Sequence, residues 1–267
     1  MPKVLIIGAT GYLGSRICNI LVNSGQHRVY GIARNEAKAK SLAVAEVTPV
    51  ICPDPINKPD AYLDAIRLFN IDIVIDVSGA NQDSAKFLAD VKLVNDLDIA
   101  GPDATTPPAR LVAWRVNHEN AVLASSDVLD VAVLRLALIY GCKNTIQIPL
   151  SIDSRPGLVY VSDVATGFQK AVEKLSVING TSVYPVFDLV TSQESVTEIF
   201  RALSSHWKVK GRCELVGPGD NLFAEAMGTS LRGSSDRAKQ LLGWTPTRLN
   251  GFVADMDIYA DAFASQN

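Results

Sequence analysis

Three glycines spaced three apart, in Gly8-Ala-Thr10-Gly11-Tyr12-Leu13-Gly14, are the residues of this chain best suited to holding a phosphate. They follow the apolar run Val4-Leu-Ile-Ile7, which reads as a buried parallel strand. They precede Ser15–Val22, where Ile17, Ile20, Leu21 and Val22 fall at helical spacing. A glycine turn between strand and helix lets main-chain N–H groups approach a pyrophosphate, with the positive end of the helix dipole facing its charge. Gly8 then permits the tight turn, Gly11 the close approach and Gly14 the packing of helix on strand. The competing reading is a plain glycine-rich turn in an α/β domain that binds no nucleotide.

The end of the second strand chooses between the two nicotinamide dinucleotides. A carboxylate there suits the ribose diol of NAD, and a cation suits the 2′-phosphate of NADP. This chain has Ala33-Arg34-Asn35 and no carboxylate before Glu36. Arg34 offers a charge-assisted fork to a phosphate, with Arg16 close behind the glycine turn as a second cation. The reading is therefore NADP(H) preferred over NAD(H), against the alternative of a solvated surface arginine. Ser78 and Gly79 close the fourth apolar run, where small side chains let the backbone pass near a cofactor.

The elements that must position these residues alternate as a parallel sheet requires. Strands are expected at 28–33, 47–52 and 71–77, with helices at 35–43 and 62–69 between them. A helix over 83–89, the start of a strand over 91–94 and a loop over 101–110 follow. A helix over 111–125 then leads into one long strand over 131–139. Beyond it the pattern predicts a short strand at 158–161, a helix at 163–175, helices near 192–205 and 234–242, and an amphipathic tail over 250–264. The fold class is α/β, a Rossmann-type doubly wound parallel sheet. Residues 1–140 form the dinucleotide-binding part and 141–267 a smaller substrate lobe.

With 267 residues, 48% of them hydrophobic, the chain can bury a sizeable core. A net charge of −3 gives no electrostatic case for nucleic acid or an anionic membrane. No apolar run reaches the ~20 residues of a membrane span. Cys18, Cys52, Cys142 and Cys213 are scattered, with no C-x-x-C pair, and read as buried thiols in a reducing compartment. The chain runs straight into a strand after Met1-Pro-Lys3, so a cytoplasmic protein without a cleaved leader is expected.

On these residues the chain resembles the short-chain dehydrogenase/reductases, in their extended and atypical branch of NAD(P)-dependent epimerases, dehydratases and dihydroflavonol-reductase-like enzymes. The glycine turn carries the resemblance at the front. Leu134-Arg135 with Ile139-Tyr-Gly141 is similar to the family's "LRP…VYG" strand end, and Val159-Tyr-Val-Ser-Asp163-Val-Ala165 to its "HVDDVA" segment. Ala238-Lys-Gln-Leu-Leu-Gly243-Trp-Thr-Pro246 is similar to its "LGW.P" closing motif. The resemblance implies a small-molecule substrate, a homodimer, and an Asp near adenine at the position of Asp54. Asp54 fits equally well as a turn carboxylate between Pro53 and Pro55.

The family's Tyr-x-x-x-Lys is absent, because no tyrosine stands between Tyr62 and Tyr140. Setting the family's following glutamate on Glu119 puts Leu111 and Arg115 in the two slots; the other register puts Trp114 and His118 there. The first keeps the better spacing to Leu134-Arg135. The fifth strand ends Asn95-Asp96-Leu97 rather than in Thr-Ser or Ser-Ser. Arg115, His118 and Asp96 are therefore the candidate replacements. Arg115 cannot give up its proton and is suited to hold a ribose or an anion. His118 titrates near neutrality, unless it is merely a helix-surface or capping histidine. The sequence supports two classes: an NADP(H)-dependent oxidoreductase or epimerase/dehydratase-like enzyme with a non-standard site, or a non-catalytic NADP(H)-binding sensor or scaffold.

Overall fold

Among the described residues, β1 (Lys3–Ile7) runs through the interior of a parallel sheet of four strands. β2 (Arg28–Ala33) and β4 (Ile73–Asp76) flank it, and β3 (Thr48–Ile51) forms the far edge beside β2. The structure is a computed structural model, and it describes residues 1–78, 114–136, 138–140, 150–151, 153–179, 184–208, 215, 217–228, 230 and 233–265. The expected helix over 83–89, strand start over 91–94 and loop over 101–110 lie outside those residues, as do Gly79, Asp96 and Leu111.

The register sets Leu5 beside Tyr30 and Val74, and Ile7 beside Asp76. Pro49, opposite Gly31, lacks an N–H to give and is accommodated on the edge strand. Both faces of the sheet are covered, which is why its strands read as continuous apolar runs. On one face Leu5, Ile7, Tyr30, Ile32 and Val50 pack with Tyr62, Leu63 and Ala65 of α3 (Asp60–Phe69). On the other, a Cβ at Gly31 would stand 2.8 Å from the Ala9 Cβ and 2.9 Å from Leu42 Cδ1 of α2 (Glu36–Val44). α2 starts where Asn35 Oδ1 accepts the Lys38 N–H at 2.9 Å.

The chain divides into two units. The first comprises residues 1–103, 114–133 and 168–185; the second comprises 104–113, 134–167 and 186–267. In the first, α1 (Tyr12–Asn23) follows the glycine turn, and α4 (Trp114–Leu123) continues into a 3₁₀ turn at Ala124–Asp127.

The expected single strand over 131–139 is two strands. β5 (Val133–Leu136) pairs with β8 (Val186–Leu189), whereas β6 (Leu138–Tyr140) pairs in parallel with β7 (Gly157–Tyr160). Apolar content is continuous through the run, but its hydrogen-bonding partners change. The expected helix at 192–205 also begins later. Ser192–Gln193 is β9, antiparallel to β7, and α6 (Val196–His206) is started by Ser195, whose N–H is accepted by Glu198 at 3.2 Å. α5 (Val161–Asn179) is longer than expected, and α7 (Leu222–Met227) adds to the expected elements. The 234–242 helix ends in a π-helical turn over Ala238–Leu242, stopped by Gly243 at φ +70°, and α8 (Met256–Ala264) is the amphipathic tail.

In the second unit, two of the family-like motifs meet. Asp163, 1% exposed, accepts the Thr247 N–H and hydroxyl at 2.9 Å each and the Arg248 N–H at 3.0 Å. The fully buried Trp244 donates its indole N–H to the Asp163 carbonyl at 2.8 Å.

Candidate functional site

Gly8 leaves β1 at φ +87°, a conformation L side chains rarely adopt. A Cβ there would stand 2.6 Å from the Val77 carbonyl oxygen and 2.8 Å from the Ser78 Cα, so the turn lies flush against the end of β4. Gly11 donates its N–H to the Gly8 carbonyl at 2.9 Å, and that carbonyl fills the place of a Cβ on Gly14. Gly8 and Gly14 are thus required by contact rather than by composition, while a Cβ on Gly11 would stand 3.1 Å from the Gly8 carbonyl oxygen, a tight fit. Gly11 is the N-cap of α1 without a side-chain cap, and the first turn carries no acidic residue. That leaves an uncapped helix N-terminus beside a glycine-walled turn. Such a cradle fits a diphosphate, held by main-chain N–H groups. Thr10, Tyr12 and Leu13 are half-buried around it. The Arg16 guanidinium lies 6.0 Å from the Tyr12 ring, and its Nε is shut from solvent with no hydrogen-bond partner among the described residues.

Arg34 is exposed directly after the last residue of β2 and makes no hydrogen bond or ion pair among the described residues. Its guanidinium is therefore available to an anion at the strand end. Asp54 accepts from the Asn57 N–H at 3.1 Å and from the Asn57 side-chain amide, so the turn role is filled. Ser78 donates its N–H to Asp76 Oδ1 at 2.9 Å, while its own hydroxyl oxygen is buried without a partner among the described residues.

α4 brings Trp114 and His118 together one turn apart, with ring centroids 6.0 Å apart. Arg115, exposed, places its guanidinium 5.9 Å from the Trp114 ring. Burial lowers the His118 pKa below the ordinary histidine value; the carboxylates of Asp76 and Glu119 oppose this, and Arg115 adds to it. The imidazole is thus neutral at neutral pH and able to take up a proton. Its Nδ1 is buried and finds no hydrogen-bond partner among the described residues. Sequence reading passes over Asp76. The signal for it is a carboxylate ending the apolar run 71–77, at the carboxyl end of a parallel strand where α/β folds bind ligands.

Among the described residues, no group of three or more His, Cys, Asp or Glu could hold a metal ion, and no helix is long and apolar enough to cross a membrane. Cys18 and Cys52 are free and buried.

Residues 4–104 match the NAD dependent epimerase/dehydratase family. A curated relative, bifunctional pinoresinol-lariciresinol reductase 2 of Linum usitatissimum, is 28% identical over 126 residues, covering 45% of this chain and 38% of that protein's length. Among solved structures, the UDP-glucuronic acid 4-epimerase of Bacillus cereus, in complex with UDP-glucuronic acid and NAD, superposes with a TM-score of 0.73 at 15% identity, over 99% of this chain and 100% of the other. The UDP-glucose 4-epimerase of Thermus thermophilus, in complex with NAD, gives a TM-score of 0.71 at 16% identity, again over 99% and 100%. The resemblance read from the sequence is met in two ways: residues 4–104 match that family, and the fold is shared with these structures over nearly the whole chain.

Proposed function

We propose that this chain is an NADP(H)-dependent oxidoreductase or epimerase/dehydratase-like enzyme, acting on a small organic substrate through a non-standard proton-transfer site. The observation that carries the reading is the Gly8–Gly14 turn, whose walls leave no room for side chains beside an uncapped helix N-terminus. The family match over residues 4–104 supports it. When bound, the nicotinamide supplies or takes up the electron pair.

The chain's own residues do the rest. Main-chain N–H groups of the Gly11–Gly14 turn hold the diphosphate, and Arg34 pairs with the 2′-phosphate. Ser78 is assigned to the rim, Gly79 to close backbone approach and Asp54 to the adenine. His118 exchanges the proton, because its burial keeps it neutral and ready to accept one. Arg115 stays charged and orients an anionic group, with Asp96 as a further candidate acid. The part of the chain after residue 140 supplies the substrate lobe. A cytoplasmic homodimer completes the reading.

Calorimetric titration with NADPH and NADH, followed by NADPH consumption against a panel of carbonyl substrates, tests it. Saturable binding with turnover is expected. Absence of binding to either nucleotide ends the proposal.

A second reading, a non-catalytic NADP(H)-binding sensor or scaffold, is favoured by one observation: no tyrosine between residues 62 and 140. Tight binding with no turnover on any substrate selects it.

A further inference from the structure

α1 begins with a side-chain charge of the wrong sign for a bare helix end. Arg16 lies one turn beyond Tyr12, the first residue of the helix, so the two share a helix face. Helical side chains lean toward the N-terminus, and the Arg16 guanidinium accordingly stands 6.0 Å from the Tyr12 ring, over the first turn. That end of a helix carries the positive pole of its dipole, where a cation is disfavoured. No acidic side chain in the first turn offsets it. Arg16 is half-buried and makes no ion pair among the described residues, and its Nε is closed to solvent without an acceptor there. A partly desolvated cation of this kind is costly unless an anion meets it.

The glycine turn offers that anion a place. The helical ladder opens with the Ser15 N–H bonded to the Gly11 carbonyl at 2.9 Å, so the N–H groups of Leu13 and Gly14 lie ahead of it. The Gly8 carbonyl fills the position of a Gly14 Cβ, so no side chain enters between turn and helix. Steric clearance and excess positive charge are separate observations, and they coincide at one helix end. We infer that Arg16 is the side-chain cation for the diphosphate of a dinucleotide seated on the Gly8–Gly14 turn, contributing equally to NADPH and NADH. This rests on the dinucleotide site proposed above and adds a division of labour, with Arg34 serving the 2′-phosphate alone. The Tyr12 ring attracts the cation without using its N–H donors, which stay uncommitted among the described residues.

Calorimetric titration of the full chain with NADPH, NADH and ADP-ribose tests this, since ADP-ribose carries the diphosphate but neither nicotinamide nor 2′-phosphate. Arg16→Gln should weaken all three by the same factor, about tenfold or more, the worth of one charge-assisted hydrogen bond. Each affinity should also become less sensitive to salt, because a charge contact is gone. Arg16→Lys keeps the charge and should recover most of the loss, whereas Arg16→Met keeps only the stem and should recover none. An equal or reversed ranking of those two would mark a packing role and overturn the inference. Unchanged affinities in Arg16→Gln, or a loss confined to NADPH, would overturn it as well. Should Arg16→Gln not fold, the Lys and Met variants carry the test. If the unsubstituted protein takes up no nucleotide, the dinucleotide site fails and Arg16 with it; uptake that survives the substitutions intact sinks only the role of Arg16.

Discussion

The carbonyl oxygen of Gly8 occupies the space in which a side chain on Gly14 would begin. Strand end and helix start are therefore in direct main-chain contact, and the turn can be no tighter. A Gly14→Ala variant must push α1 off the turn. It is expected to lose about 1–3 kcal/mol of stability, the usual cost of overpacking. Dinucleotide affinity should fall at least about tenfold, equivalent to about 1.4 kcal/mol. Denaturant unfolding and calorimetric titration read both, and a variant with full affinity would show that the turn holds no phosphate.

Arg34 has no partner of its own among the described residues, so its removal costs the fold little. Arg34→Ala should weaken NADPH binding by about 10–100-fold, the worth of a charge-assisted hydrogen bond of about 1.5–3 kcal/mol. NADH binding should be nearly unaffected. Equal losses for the two nucleotides would contradict the assignment of the 2′-phosphate to this arginine.

Asp163 serves structure. Its buried carboxylate satisfies two N–H groups and a hydroxyl of Thr247 and Arg248. Asp163→Ala leaves those donors unpaired and should cost about 3 kcal/mol or more. Asp163→Asn should also destabilise, since its NH₂ would face an N–H where a carboxylate oxygen now accepts. Denaturant midpoints measure both, and a wild-type midpoint in the alanine variant would refute the role.

His27 is 8% exposed and shares a 3.1 Å hydrogen bond with the Ser24 hydroxyl. Burial lowers its pKa below the ordinary value of 6.5, with Glu173 partly opposing the shift. Between the lowered value and 6.5 the unfolded chain binds more protons than the folded one. Its contribution is therefore complete above 6.5 and is lost as pH falls through 6.5 toward the folded value. A His27→Gln variant should show a flatter decline of stability over that interval, measured by urea unfolding at a series of pH values. An unchanged slope would rule out this source.

The Cys18 thiol, 1% exposed, is pushed up to about 12 by burial. Thiolate is the reactive form, so Cys18 should resist iodoacetamide at neutral pH in the folded protein and react once unfolded. Peptide mapping after alkylation decides it; rapid native labelling would contradict the burial.

Local pattern alone determined the first half of this protein where the structure describes it. β2 falls on 28–33 as the apolar run implies, and Gly8, Gly11 and Gly14 meet the steric demands their spacing suggested. β2, Gly11 and Gly14 were legible because what shapes them is local. The demands on Gly11 and Gly14 come from Gly8 in the same turn, whereas Gly8 itself is pressed by Val77 and Ser78 of a distant strand end. Arg34 was likewise legible as the residue that follows β2.

Tertiary structure decided the rest. The run 131–139 is uniformly apolar but for Arg135, yet its two halves pair with strands that begin at Gly157 and Val186. No local signal marks that change of partner. Trp244 reaches the carbonyl of Asp163 from 81 positions away. The Gly8 turn meets the backbone of Val77 and Ser78, far along the chain, because β1 and β4 pair in parallel and end at one edge. Periodicity specifies which residues are buried together with their neighbours. Which distant group meets the turn depends on pairing, and pairing is settled only when the sheet closes.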